Sequence, residues 1–216
     1  MHKIVKNLIN IKKKIKETSS SYNAIKIIAV SKTFALEKIL PLIDYGHIDF
    51  GENKVQEALE KWSEIKVRKK NIKLHLIGKL QTNKVRFALK IFDYIHSLDS
   101  AKLAKKIAEE ETKQSRKVKI FIQVNLANEI QKSGVSIDKL EELYNYALSL
   151  NLNIIGLMCI PPESGESNIY FKKLKSLNDK IGLEELSMGM SNDFLEAIKN
   201  KATYIRVGSN IFGTRS

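Results

Sequence analysis

Lys32 follows a short apolar run, Ile27-Ile28-Ala29-Val30, that is rich in β-branched residues and exits through Ser31-Lys32-Thr33. Such a run reads as a buried parallel strand with the lysine just past its carboxyl end, the edge at which α/β proteins bind ligands. An amine there is a candidate for chemistry, although one lysine in a chain with 37 lysines and arginines needs a site around it to count. Far along the chain, Ser187-Met188-Gly189-Met190-Ser191-Asn192-Asp193 and Arg206-Val207-Gly208-Ser209-Asn210-Ile211-Phe212-Gly213 each lead from a strand into a helix. Helix N-termini offer free N–H groups, and the hydroxyl and glycine beside them, Ser191 and Gly208, suit the oxygens of a phosphate. A cap role for Ser191 and a turn role for Gly208 are the plainer alternatives.

These residues lie at opposite ends of the sequence, so a fold must bring them to one edge. Strand-like runs recur at Lys26–Val30, His47–Phe50, Leu74–Ile77, Tyr94–Ser97, Val118–Val124, Ile154–Met158, Glu185–Ser187 and Tyr204–Val207, with helical periodicity between them, as in Ala101–Glu111 and Ile137–Leu150. Eight strand–helix repeats predict an α/β fold, a single (β/α)8 TIM-type barrel, with an open doubly wound sheet as the alternative. Met1 to Lys16 carries Ile4, Leu8, Ile11 and Ile15 on one helical face, which predicts an extra N-terminal amphipathic helix packed on the barrel. Pro41 falls in the first connecting helix, Pro161-Pro162 follow the sixth strand, and no Gly/Ser/Pro-rich linker divides residues 1–216, read as one domain. In a barrel the strand ends converge, which gathers Lys32, Glu52, Asn53, Gly78, Asp99, Asn125, Cys159, Ile160, Met190, Ser191, Gly208 and Ser209 on one rim.

Composition narrows the function. The 216 residues are 43% hydrophobic and 28% charged, which suits a folded domain with a sizeable core. The single cysteine, Cys159, excludes an internal disulfide and a cysteine-cluster metal site, and fits a cytoplasmic protein. No run approaches the ~18 apolar residues of a membrane span, and the first residues lack a secretory or transit pattern. The net charge of +13 invites polyanions, but lysines are scattered and acidic residues interspersed. The densest basic run, Lys66-Val67-Arg68-Lys69-Lys70, has no interleaved aromatics for base stacking, so a specific nucleic-acid partner is not expected.

Seven ordered motifs carry a resemblance across nearly the whole chain: AVSKT (29–33), FGENKVQE (50–57), LHLIGKLQTNK (74–84), IQVNLANEIQKSGV (122–135), GLMCIP (156–161), SMGMSND (187–193) and RVGSNIFGTR (206–215). The chain resembles the pyridoxal phosphate homeostasis protein family, relatives of the alanine racemase barrel. The resemblance implies pyridoxal 5'-phosphate, the vitamin B6 cofactor, held as an internal aldimine on Lys32. It implies phosphate contacts from Ser191, Gly208 and Ser209, the last a threonine in many relatives. It sets Arg206 near the pyridine nitrogen and Asn53 near the ring, and leaves His75 without a role. A nearby guanidinium and partial burial favour a neutral amine at Lys32. Arg206 cannot give up a proton, so the pyridine stays unprotonated and the ring is a weak electron sink.

The expectation is therefore a non-catalytic carrier in intracellular cofactor homeostasis, monomer or weak dimer, with no metal and with apo-enzymes that use the cofactor as candidate recipients. An amino-acid racemase is the alternative. The resembling racemases need a second base, aided by a β-domain after the barrel, and the sequence ends at Ser216 soon after the last motif. Tyr204 or His75 would have to supply that base from inside the barrel. A basic nucleic-acid-binding module explains the charge and none of the strand-end motifs.

Overall fold

The computed structural model describes residues 1–127, 129, 133–162 and 166–214. Asn128, Ile130, Gln131, Lys132 and Arg215, which fall in the motifs above, and Ser216 lie outside the described residues. Eight parallel strands, β1 (Lys26–Val30), β2 (Asp49–Glu52), β3 (Lys73–Leu76), β4 (Tyr94–Leu98), β5 (Lys119–Gln123), β6 (Asn153–Met158), β7 (Glu185–Ser187) and β8 (Tyr204–Val207), close in sequence order into a barrel. The expected (β/α)8 barrel is therefore the fold, and the open sheet is not. The seam is made by β1 on β8, with Ile28 opposite Arg206 and Ala29 opposite Val207.

Between the strands run α2 (Leu36–Asp44), α3 (Val55–Arg68), α4 (Val85–Ile91), α5 (Ala101–Gln114), α6 (Ile137–Ser149), α7 (Ser167–Lys180) and α8 (Phe194–Lys199). They are preceded by α1 (Lys3–Thr18) and followed by α9 (Ser209–Phe212). The first helix buries Ile4, Val5, Leu8, Ile11 and Ile15, as its spacing predicts, and packs on α8 and α9. Asn7 Nδ2 donates to the Ile211 carbonyl at 2.9 Å, tying the two ends of the chain. Pro41 lies inside α2, which continues past it to Asp44.

Strand alternation sorts the core into two shells. Outward residues such as Leu74, Leu76, Ile95 and Ile205 join the helices in the main apolar cluster. Inward residues Ile28, Tyr94, Phe121, Met158 and Tyr204 form a separate cluster within the barrel. The second strand is displaced forward from the expected His47–Phe50, because Asp49 to Glu52 pair with Lys73 to Leu76 while the His47 ring turns to the Asp49 carbonyl at 3.0 Å. That shift makes Glu52 a strand residue with no exposed side-chain surface.

Candidate functional site

Inward positions recur every second residue, so β1 carries Ile28 and Val30 up to Lys32 just past its end, and β8 carries Tyr204 and Arg206 up to Gly208. A cavity of about 900 Å³ opens at the carboxyl ends of the strands, and Lys32, Ser191, Arg206, Gly208 and Ser209 all line it. Phe34, Ile77, Ile160 and Met190 supply apolar walls. Of the rim residues expected from the sequence, Glu52, Asn53, Gly78, Asp99, Asn125 and Cys159 fall outside this lining. The Asn53 Oδ1 is buried without a hydrogen-bond partner among the described residues.

Ser191 is not the N-cap of α8, which starts at Phe194 with Asp193 as its N-cap residue. The Ser191 hydroxyl instead accepts from the backbone nitrogens of Gly208 at 3.2 Å and Asn210 at 3.5 Å. Asn210 Nδ2 donates back to the Ser191 carbonyl at 2.7 Å. The loop after β7 and the turn after β8 are thereby one unit with hydroxyls and amide groups at the cavity edge.

Arg206 is buried, and its guanidinium donates to Ser187 Oγ at 2.7 Å and to the Cys159 carbonyl at 2.8 Å. Among the described residues no carboxylate lies within ion-pair distance of it, and burial lowers its pKa from the ordinary guanidinium value, opposed by Cys159 and Asp193. Asp193 lines the same cavity but makes no ion pair with Arg206, and a buried cation held only by neutral acceptors at a cavity wall suits a ligand that offers anionic or acceptor atoms. The Cys159 thiol is pushed up to about 12 by burial, with Arg206 opposing, so it is no nucleophile.

The segment bearing Lys32 is held from behind. Glu52 Oε1 accepts from Ser31 Oγ at 2.7 Å, Trp62 Nε1 at 3.0 Å and Lys61 Nζ at 3.0 Å. Lys61 also donates to the Ser31 carbonyl at 3.0 Å and to Glu57 at 2.8 Å, while Glu57 accepts from the Thr33 nitrogen at 2.6 Å. Thr33 has φ +68°, a left-handed conformation that a β-branched residue adopts at a cost, and the Glu57 contact offsets it. Burial raises the Glu52 pKa, opposed by Trp62, Lys61 and Ser31. Burial acts the same way on Glu57, but Lys61 and the Thr33 amide outweigh it and its pKa falls. Both residues flanking Lys32 are thus fixed by α3, a brace whose one sequence signal is the Glu57–Lys61 spacing on a helix face.

The two bases named for a racemase lie below the cavity and outside its lining. Tyr204 is fully buried, with its hydroxyl against Lys26 Nζ at the opposite end of β1. His75 points into the barrel, and both its ring nitrogens are engaged, by Asp49 and by His96, each at 3.0 Å. Among the described residues no cluster of three metal-ligating side chains occurs, and no helix is long and apolar enough to cross a membrane.

A closed barrel of eight parallel strands with its cavity at their carboxyl ends is a (β/α)8 barrel of the TIM type. The family model described as "Alanine racemase, N-terminal domain" matches residues 5–216. More narrowly, the chain belongs to the pyridoxal phosphate homeostasis protein family. It is 38% identical over 218 residues to the "Pyridoxal phosphate homeostasis protein" of Aquifex aeolicus (strain VF5), spanning 96% of this chain and 95% of the relative. Among solved structures, PipY of Synechococcus elongatus PCC7942, a COG0325 family member with PLP bound, matches with TM-score 0.88 and 32% identity over 97% of this chain and 100% of that one. An alanine racemase of Clostridium difficile 630 shares the fold, with TM-score 0.72 and 17% identity over 99% of this chain and 57% of that one.

Proposed function

We propose that this chain binds pyridoxal 5'-phosphate in the barrel-mouth cavity and acts in intracellular homeostasis of that cofactor. The observation that carries the reading is Arg206, a buried cation with no carboxylate at ion-pair distance among the described residues, which lines the same cavity as Lys32. Lys32 presents its amine to the aldehyde of the cofactor. Ser191, Gly208 and Ser209 hold the phosphate, and Arg206 faces the ring nitrogen. The unpartnered Oδ1 supports Asn53 as a further contact only if its side chain turns towards the ring, since Asn53 stands outside the cavity lining. When bound, the cofactor supplies an electrophilic carbon and an electron-withdrawing ring. A guanidinium at the ring nitrogen withholds a proton from it and so limits that withdrawal. This arrangement favours holding the cofactor over turning over amino acids, and no observation of the cavity favours a racemase.

We infer further that the chain works in the cytoplasm, as monomer or weak dimer, handing cofactor to apo-enzymes that use it. Titrating purified protein with pyridoxal 5'-phosphate, reducing with borohydride and mapping the adduct by mass tests the site. An adduct on Lys32 is expected; a protein that takes up no cofactor overturns the reading. Sustained racemisation of single-enantiomer amino acids by the loaded protein would replace it with the enzyme alternative.

A further inference from the structure

Inside the barrel, below the cavity, Arg206 opens a chain of hydrogen bonds that crosses four other strands. Its guanidinium is a donor only, so Ser187 Oγ accepts from it at 2.7 Å. The hydrogen of Ser187 then has His96 Nδ1 as its acceptor, 2.8 Å away. His96 is fully buried and kept neutral by that burial, with His75 and Arg206 acting in the same sense, so its own proton sits on Nε2 and points at His75 Nδ1, 3.0 Å away. By the same count His75 carries its proton on Nε2 and donates to Asp49 Oδ1 at 3.0 Å. Tyr94 stacks on His75 with ring centroids 4.2 Å apart, and Phe121 stacks on His96 at 4.3 Å, which holds both ring planes. Beyond these contacts, Lys26 and Asp93 act on His75 through space.

We propose that Asp49, at the amino end of β2, is the terminal acceptor of a one-way relay, Arg206 to Ser187 to His96 to His75 to Asp49, and that these four are positioning residues for the guanidinium. The relay does not deliver a proton to the cavity, because its upper end is a guanidinium that keeps its protons near neutral pH. What it transmits is orientation. The donor-only guanidinium above and the carboxylate at the foot dictate the same tautomers, Ser187 stays an acceptor for Arg206, and Arg206 keeps its remaining donors for the cavity. The consequence for cofactor rests on the function proposed above, whereas the order of donation does not.

The two are tested separately. In cofactor-free protein, nitrogen NMR of labelled histidine is expected to find His75 and His96 neutral with the proton on Nε2. Asp49→Asn removes the charge at the foot but keeps an acceptor there, and Arg206 still orders the upper end, so His96 is expected to keep its tautomer while its ring nitrogen resonances move, although Asp49 does not touch it. Imidazolium at either histidine in the wild-type protein, or an unmoved His96 in that variant, overturns the relay. Ser187→Ala, which deletes one hydroxyl, keeps the proposal testable if Asp49→Asn fails to fold. It is expected to weaken pyridoxal 5'-phosphate binding about fivefold, the worth of one lost hydrogen bond. Wild-type affinity in that variant overturns the positioning role. A wild-type protein that binds no cofactor instead overturns the proposed function, and the relay then stands or falls on the NMR alone.

Discussion

Ser191 Oγ lies 3.2 Å from the Gly208 nitrogen, so the loops after β7 and β8 are joined before any ligand enters. A phosphate at this edge meets a formed grip, with little loop ordering left to oppose binding. Ser191→Ala is expected to weaken pyridoxal 5'-phosphate binding about tenfold, as for one charge-assisted hydrogen bond. Pyridoxal without the phosphate should bind the variant and the wild type alike. Equal losses for both ligands would remove Ser191 from the phosphate site.

Lys32→Ala should abolish the borohydride-fixed adduct and leave weaker, reversible binding through the grip and Arg206. Absorbance titration and peptide mass mapping read the two effects separately. An adduct that persists in the variant identifies another lysine as the attachment point.

The brace behind Lys32 predicts a large stability effect from a residue that never reaches the cavity. Lys61 is 9% exposed and Glu52 fully buried, so Lys61→Ala strands a buried carboxyl group and should cost about 3 kcal/mol in urea unfolding. Adding Glu52→Gln should recover part of that loss, because the pair is coupled. Additive losses would mean that the two side chains do not act together.

Stability should fall with acid through the buried histidines. Burial lowers His47 to about 4, with Asp49 opposing, and lowers His75 and His96 in the same direction. The unfolded chain binds more protons than the folded one between these values and the ordinary 6.5. The contribution is therefore full above 6.5 and lost as pH falls towards about 4, up to about 3 kcal/mol for His47 alone. Urea midpoints near neutral pH and at about pH 5 check this, and His47→Gln should flatten the difference.

Much of this architecture was legible in local patterns. Apolar runs marked all eight strands, the position of Lys32, Ser191, Gly208 and Ser209 at strand ends brought much of the cavity lining together, and the resemblance added Arg206. The second strand slipped because its inward residue is Asp49, a charge where the pattern calls for an apolar side chain, and its last residue, Glu52, reads as rim while Trp62 and Lys61 cover it. The relay was hidden for a different reason. Asp49, His75, His96 and Ser187 sit on separate strands, and only barrel closure sets them edge to edge, so no spacing within the sequence reports their contact.

The bond from Asn7 to the Ile211 carbonyl has a bearing on the order in which the molecule can work. Translation makes Lys32 well before Arg206, Gly208 and Ser209. On the function proposed above, a growing chain therefore carries its amine before the phosphate site exists, and α1 waits for α9 to settle against. The site proposed above is complete only once β8 and α9 have been made, so on that reading partly made copies withdraw little reactive aldehyde from the cell's supply.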